Sequence, residues 1–342
     1  MTILIDDEIV NERGEIKMAH EVESMMAVVK TPWHGLGTIV SEAPTTEEAI
    51  KLAGLNWHVG KEELFTKDGT KVNAYALRRD SDNRVLSVVG KSYTPLQNAE
   101  AFQWFNPFVE SGECSLETAG SLRQGERVWI LAKLNRAPID VGSGDLVNKF
   151  LLLSNGHDGI LAARVSLTPI RVVCANTLAA AHNAEASSFM RVRHSSKVLV
   201  TLEKVREIIN TANASFEATA EQYKYLATRS INKSDLEKYV KTVFGLPEVA
   251  ESERAKTFQE RLMIDITQLF EYGQGQQLAS AKGTMWGAYN AVTEYLSYQA
   301  GKAKKPELIA DQRNVDSRMN SLWFGANRKL NEEALKVAVK AA

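Results

Sequence analysis

The residues of this sequence best suited to chemistry are basic and hydroxyl side chains between Gly159 and Lys197. In the run GILAARVSLTPIRVV, the alternation of an extended strand would place Arg164, Ser166 and Thr168 on one face. Guanidinium and hydroxyl groups are side chains that contact phosphate oxygens. A second run, SSFMRVRHSSK, is basic and contains no acidic residue. Its phenylalanine is of the type that stacks on a base.

These two runs predict a nucleic-acid surface in which arginines follow phosphates along one side of a sheet. The predicted contact residues are Arg164, Ser166, Thr168, Arg171, Phe189, Arg191, Arg193 and Lys197. A plain structural interpretation stays open beside it. A polar strand face is commonly the solvated side of a sheet, and clustered Arg and Lys commonly keep a surface hydrated.

Catalytic chemistry is less well supported by the residue types and their spacing. In the run LLLSNGHDG, Ser154, His157 and Asp158 are the types found in a nucleophile–base–orienter triad. They are too close together in one turn to reach each other in those roles, and Asn, Gly and Asp favour a hairpin connection. Cys174 lies among apolar neighbours, which favours a buried small residue. No catalytic residue is predicted.

The run PWHGLG, at residues 32–37, predicts a tight bend and not a ligand loop. Pro32 restricts the backbone, the two glycines permit unusual conformations, and Trp33 is expected to be a buried anchor. His34 lacks a partner at metal-ligand spacing, and no Lys-Ser/Thr follows the glycines as in a phosphate loop. We therefore expect no metal, no ATP and no other cofactor.

Composition limits the classes of protein that remain. The chain has 342 residues, a formal net charge of −1 and two cysteines, which exclude a disulfide scaffold and a four-thiolate zinc site. With that charge, any polyanion site must be a local patch. No apolar run approaches the roughly 20 residues of a membrane span, and the N-terminus lacks a signal-peptide pattern. The expected location is the cytoplasm.

The elements that must position these residues form an α+β fold. Thr45 and Glu48 have capping-box spacing for a short helix. Strand-like runs separated by turn signals then follow to about residue 175, which predicts an antiparallel sheet of five or more strands. Between two of them, Ala99, Phe102 and Phe105 are spaced as one helix face.

The C-terminal half is predicted to be mainly helical. Apolar residues spaced by three and four form a seam from Leu202 to Leu226, and Ser234 with Glu237 forms a second capping-box candidate. Aromatic residues from Trp286 to Tyr298 form a stripe that is core if buried and an interface if exposed. The predicted organisation is an extension at 1–17, a sheet domain at 18–198 and a helical region at 199–342.

Several motifs occur together along the chain: MAHEVESM, PWHGLG, YTPLQNAEAF, LLLSNGHDG and VSLTPIRVVCANTL. In these the sequence resembles the phage/plasmid-like proteins that carry domain of unknown function 932, from about Met18 to the C-terminus. The resemblance implies a phage, prophage or plasmid habitat, and no catalytic residues follow from it. It also suggests that residues 1–17 are an extension or a miscalled start.

The predicted architecture, a sheet with packed helices, is broadly similar to that of single-strand annealing proteins of the Rad52 and Red-beta type. This is a likeness at the level of fold. The leading hypothesis is therefore a homo-oligomeric, ATP-independent protein that binds and anneals single-stranded DNA in recombination. One alternative is a non-enzymatic assembly or partner-binding protein of a mobile element, and a second alternative is an enzyme.

Overall fold

The computed structural model describes residues 24–28, 38–171, 173, 189–195, 216–300 and 320–342. Several sequence-based predictions lie outside these residues: the extension at 1–17, the bend with Trp33 and His34, Cys174, Lys197, and the seam before Phe216.

Within the described residues, eleven strands form two sheets. The strands are β1 (Ser24–Val28), β2 (Thr38–Val40), β3 (Val59–Phe65), β4 (Lys71–Arg79), β5 (Val85–Val89), β6 (Cys114–Leu122), β7 (Arg127–Leu134), β8 (Ile139–Asp140), β9 (Leu146–Gly156), β10 (Ala163–Arg171) and β11 (Phe189–Val192). The eight-stranded sheet has the order β11-β10-β9-β7-β6-β1-β2, with β8 paired to β9. The smaller sheet has the order β3-β4-β5.

The predicted antiparallel sheet is confirmed, with two differences. Strands β3 to β5 form a sheet of their own, and β1 pairs with β2 in parallel at one end of the large sheet. The helices are α1 (Thr46–Leu52), α2 (Asn98–Gln103), α3 (Asn106–Glu110), α4 (216–227), α5 (Lys233–Phe244), α6 (Glu253–Tyr272), α7 (Met285–Glu294), α8 (320–324) and α9 (Ala326–Ala341). The mainly helical C-terminal region is also confirmed.

The large sheet is covered on both faces, which explains the continuous apolar run in β9. Leu151 and Leu153 belong to the main core, together with α7 and α9, whereas Phe150 and Leu152 belong to a smaller cluster on the other face. Trp323 and Phe324 of α8 pack against that smaller cluster. Alternate residues of a central strand therefore enter different cores.

Helix ends follow local chemistry, and one of the two predicted caps needs correction. The capping box of Thr45 and Glu48 is confirmed. Helix α5 begins after Asn232, whose side chain accepts a hydrogen bond from the Asp235 amide at 3.0 Å, so the predicted Ser234 cap is wrong. Asn is as good a cap as Ser and stands two residues earlier.

The single helix expected near residue 100 is two helices. Pro107 occupies the first turn of α3, where its missing amide hydrogen costs no helical hydrogen bond, and this starts a new helix. Phe102 and Phe105 are buried as predicted, but Ala99 is exposed and Ala101 takes its place in the core.

The aromatic stripe of α7 is core. Trp286 and Tyr289 are fully buried, and the Trp286 ring lies 4.7 Å from that of Tyr223 on α4, measured between centroids. Leu296, in the π-helical turn Tyr295–Gln299 that continues α7, is also buried. These three residues are therefore not available as an interface.

Candidate anion-binding site at the edge of the large sheet

Strand β11 lies at one end of the large sheet and places two arginines side by side. Arg164 on β10 is the direct cross-strand partner of Arg191 on β11. Arg164 alternates with Ala163 and Val165, which are buried in the main core, so its side chain lies on the opposite face. Like charges directly opposite each other on neighbouring strands destabilise a sheet. A nearby anion would offset the repulsion between Arg164 and Arg191.

Two further arginines from distant parts of the chain complete the group. Burial lowers the pKa of Arg164 most, and the charges of Arg328 on α9, Arg191, and Arg127 on β7 lower it further. We call Arg127, Arg164, Arg191 and Arg328 the arginine cluster. Arg127, Arg191 and Arg328, from two strands and one helix, are each close enough to Arg164 to act on it electrostatically.

Only part of this positive charge is neutralised by the described residues. Arg127 forms an ion pair with Asp158, with 2.9 Å between Nε and the carboxylate, and Arg328 pairs with Glu332. Among the described residues, no carboxylate forms an ion pair with Arg164 or Arg191. The buried Nε of Arg164 also lacks a hydrogen-bond acceptor in this part of the chain. Within the described residues, the cluster thus holds two arginines without a carboxylate partner and one unused donor.

Aromatic rings lie beside the cluster on the same face. A row across the sheet runs from Arg191 through Arg164 and Ser154 to Trp129. The ring of Trp323, on α8, lies 5.6 Å from that of Trp129. One end of this row is therefore basic and the other is aromatic. Surfaces that bind single-stranded nucleic acid combine these two kinds of side chain.

Helix α8 is held at this face by the cluster itself. The guanidinium of Arg127 lies 5.9 Å from the ring of Phe324 and donates a hydrogen bond to Asn320 Oδ1. Trp323 and Phe324 are half-buried, so each residue is partly accessible.

The predicted contact residues divide into those that join this surface and those that do not. Arg164 and Arg191 form its centre, and Arg193 is exposed just beyond β11. Ser166 is half-buried on the same face, and its cross-strand partner is Phe189. Thr168 is on that face but is only 6% exposed, so its prediction as a contact residue is corrected: the side chain is buried.

Arg171 requires a larger correction, because it lies on the opposite face and is fully buried. Its guanidinium donates to both carboxylate oxygens of Asp145, at 2.8 and 2.6 Å, and to the Gly275 carbonyl at 3.0 Å. Asp145 also accepts from Ser280 and from the Trp286 indole, each at 2.8 Å. Arg171 therefore joins the sheet to the helical region and is not accessible to a phosphate.

Arg127, Arg328, Trp323 and Phe324 were missed from the sequence. Arg127 is far in sequence from Trp323, Phe324 and Arg328, and all four lie outside the runs at 159–197 from which the surface was predicted. Arg127 opens a strand otherwise typical of core, and Arg328 lies in an ordinary amphipathic helix. Only the pairing of the strands and the docking of α8 bring these residues together.

The triad residue types of the β9–β10 connection do not form an active site. His157 is fully buried, with Nε2 3.1 Å from Asn98 Oδ1, and burial lowers its pKa to about 3. The Asp158 carboxylate is occupied by Arg127 and by the amides of Ile160 and Leu161. This connection is structural, as its turn chemistry predicts.

Other sites of chemistry are sparse in the described ranges. Burial raises the pKa of the Cys114 thiol to about 12, so this cysteine is not a nucleophile. In the part of the chain that the structure describes, no group of three or more His, Cys, Asp or Glu residues could hold a metal ion. None of the helices described has both the length and the apolar character of a membrane span.

Fold and site together define an α+β protein with a cluster of arginines at the edge of its large sheet. The family model described as domain of unknown function (DUF932) matches residues 85–323, more than half of the chain, and the protein belongs to this family. The match includes Arg127, Arg164, Arg191 and Trp323. No curated protein and no solved structure matches the chain.

Proposed function

We propose that the protein binds single-stranded DNA at the arginine cluster and promotes the annealing of complementary strands without ATP. The observation that carries this proposal is the cross-strand pair of Arg164 and Arg191, which has no carboxylate partner among the described residues. Phosphates are anions of matching geometry, because guanidinium groups bind their oxygens through two parallel hydrogen bonds.

A single strand fits this surface better than a duplex. The accessible parts of Trp323 and Phe324 lie beside the cluster, and an unpaired base can stack on such rings while its phosphate contacts an arginine. Stacking uses the face of a base and leaves its pairing edge free. A strand held in this way remains able to pair with its complement.

Habitat and assembly belong to the same proposal. The family resemblance supports a protein of a phage, prophage or plasmid, acting in recombination in the cytoplasm. The fold-level similarity to Rad52 and Red-beta annealing proteins supports a homo-oligomer that holds the strand along several subunits. Since Trp286 and Tyr289 are core, subunit contacts would use other surfaces.

The test is fluorescence anisotropy with a labelled single-stranded oligonucleotide, together with a strand-annealing assay. Replacing Arg191 and Arg193 with Glu should abolish binding and annealing, since both side chains are exposed at the sheet edge. The matched control replaces Arg254 and Lys256 with Glu. These residues are exposed at the start of α6, so the change in net charge is the same at a different surface.

Equal loss in both double variants would contradict a local site, because it would show that only net charge matters. If the wild type shows no affinity for the oligonucleotide at low salt, the proposal is wrong. Sedimentation with and without the oligonucleotide would then favour the assembly alternative if the protein alone forms a defined oligomer.

A further inference from the structure

We infer that the arginine cluster binds the terminal phosphate monoester of a DNA strand in preference to an internal phosphodiester. This inference rests on the proposed function and deepens it, because it specifies which phosphate the site selects.

Charge is the first argument. Arg127 and Arg328 each have a carboxylate partner, whereas Arg164 and Arg191 have none among the residues described. The site therefore has two positive charges to neutralise. An internal phosphodiester carries one negative charge, while a phosphate monoester carries about −1.5 to −2 at neutral pH. The terminal group matches the uncompensated charge.

Geometry is the second argument. The cluster does not extend along one strand, because Arg191 on β11 is the cross-strand partner of Arg164. Arg127 lies on β7, two residues from Trp129 on the same face, and Arg328 belongs to α9. A monoester presents three oxygens that can accept from several sides, whereas the two ester bonds of an internal phosphate leave only two such oxygens. Donors that converge from different elements therefore fit a group at the end of a chain.

The unused donor of the cluster is the third argument. Arg164 is half-buried, and its Nε is buried without a hydrogen-bond acceptor in the described part of the chain. An unsatisfied buried donor is unfavourable, and an anion seated beside it removes that cost. Trp323, which packs on Trp129 at the other end of the row, would then receive a base of the bound strand.

The experiment compares oligonucleotides of one sequence that carry a 5′-phosphate, a 3′-phosphate or only hydroxyl ends. We expect a phosphorylated end to bind about tenfold more tightly, as one additional charge-assisted hydrogen bond would provide. Arg164→Gln should weaken the binding of all three oligonucleotides and should weaken that of the phosphorylated ones most, so that the preference for a phosphorylated end is lost. Arg191→Gln is the second variant, and thermal unfolding of both should match the wild type.

Equal affinity for all three oligonucleotides would overturn the inference and leave the proposed function standing. Failure of all three to bind would remove the proposed function as well. Inorganic phosphate and adenosine monophosphate, added as competitors, separate the sources of the phosphate. If either binds as tightly as the phosphorylated oligonucleotide, the site is one for small phosphates and the strand-end assignment is wrong.

Discussion

Replacing Arg171 with Met should destabilise the protein strongly while leaving its surface charge pattern unchanged. The substitution leaves the buried Asp145 carboxylate without its cation, although the donors of Ser280 and Trp286 remain. Removing one partner of a buried ion pair costs about 3–5 kcal/mol, and a typical domain has a total stability of only about 5–15 kcal/mol. We therefore expect the loss of a large share of the folding free energy.

Urea unfolding followed by far-ultraviolet circular dichroism measures this loss as a lower midpoint. A double variant, Arg171→Met with Asp145→Leu, removes both charges and should be less destabilised than Arg171→Met alone. Arg164→Gln is the control, because it removes a half-buried arginine of the cluster and should change stability little. A loss below about 1 kcal/mol for Arg171→Met would refute the structural role, since even a surface pair reaches that value.

Three further outcomes follow from other parts of the fold. Gly120→Ala should lower the melting temperature by an amount corresponding to about 1–3 kcal/mol, because a methyl group there would lie 2.5 Å from both a β1 carbonyl and an indole ring. Asn232→Ala should cost about 1 kcal/mol in urea unfolding, and Ser234→Ala much less, since Asn232 caps α5. For His157, the folded-state pKa of about 3 lies below its ordinary 6.5, so only the unfolded chain takes up the proton between these values. Stability should fall by about 1.4 kcal/mol per pH unit as the pH drops through that range, and His157→Asn should reduce this slope.

The sequence predicted most of the described strands because each has a local signal. Strand β9 is a continuous apolar run and β10 alternates, and both lie where expected. Strands β1, β2, β8 and β11 were missed, and the two shortest of them, β2 and β8, are defined by pairing with a neighbour and not by composition. The Asn232 cap was missed because Ser234 matched the capping-box spacing.

The candidate site was partly predictable for the same reason. Arg164 and Arg191 were found because they stand in polar or basic runs. Arg171 was misassigned although its position already carried the information: it is seven residues from Arg164, and an odd separation puts two residues of a strand on opposite faces. The positions of Arg127 and Arg328 depend on tertiary docking, which no local pattern contains.

The salt dependence of binding to single-stranded DNA tests the central claim most directly. In a plot of log affinity against log salt concentration, each phosphate contact with a single strand contributes about 0.7 to the slope. We predict a steep slope for the wild type and a slope smaller by about 1.4 for the variant with both Arg164→Gln and Arg191→Gln, because two such contacts are lost. Identical slopes for the two proteins would contradict the assignment of the arginine cluster as the phosphate site.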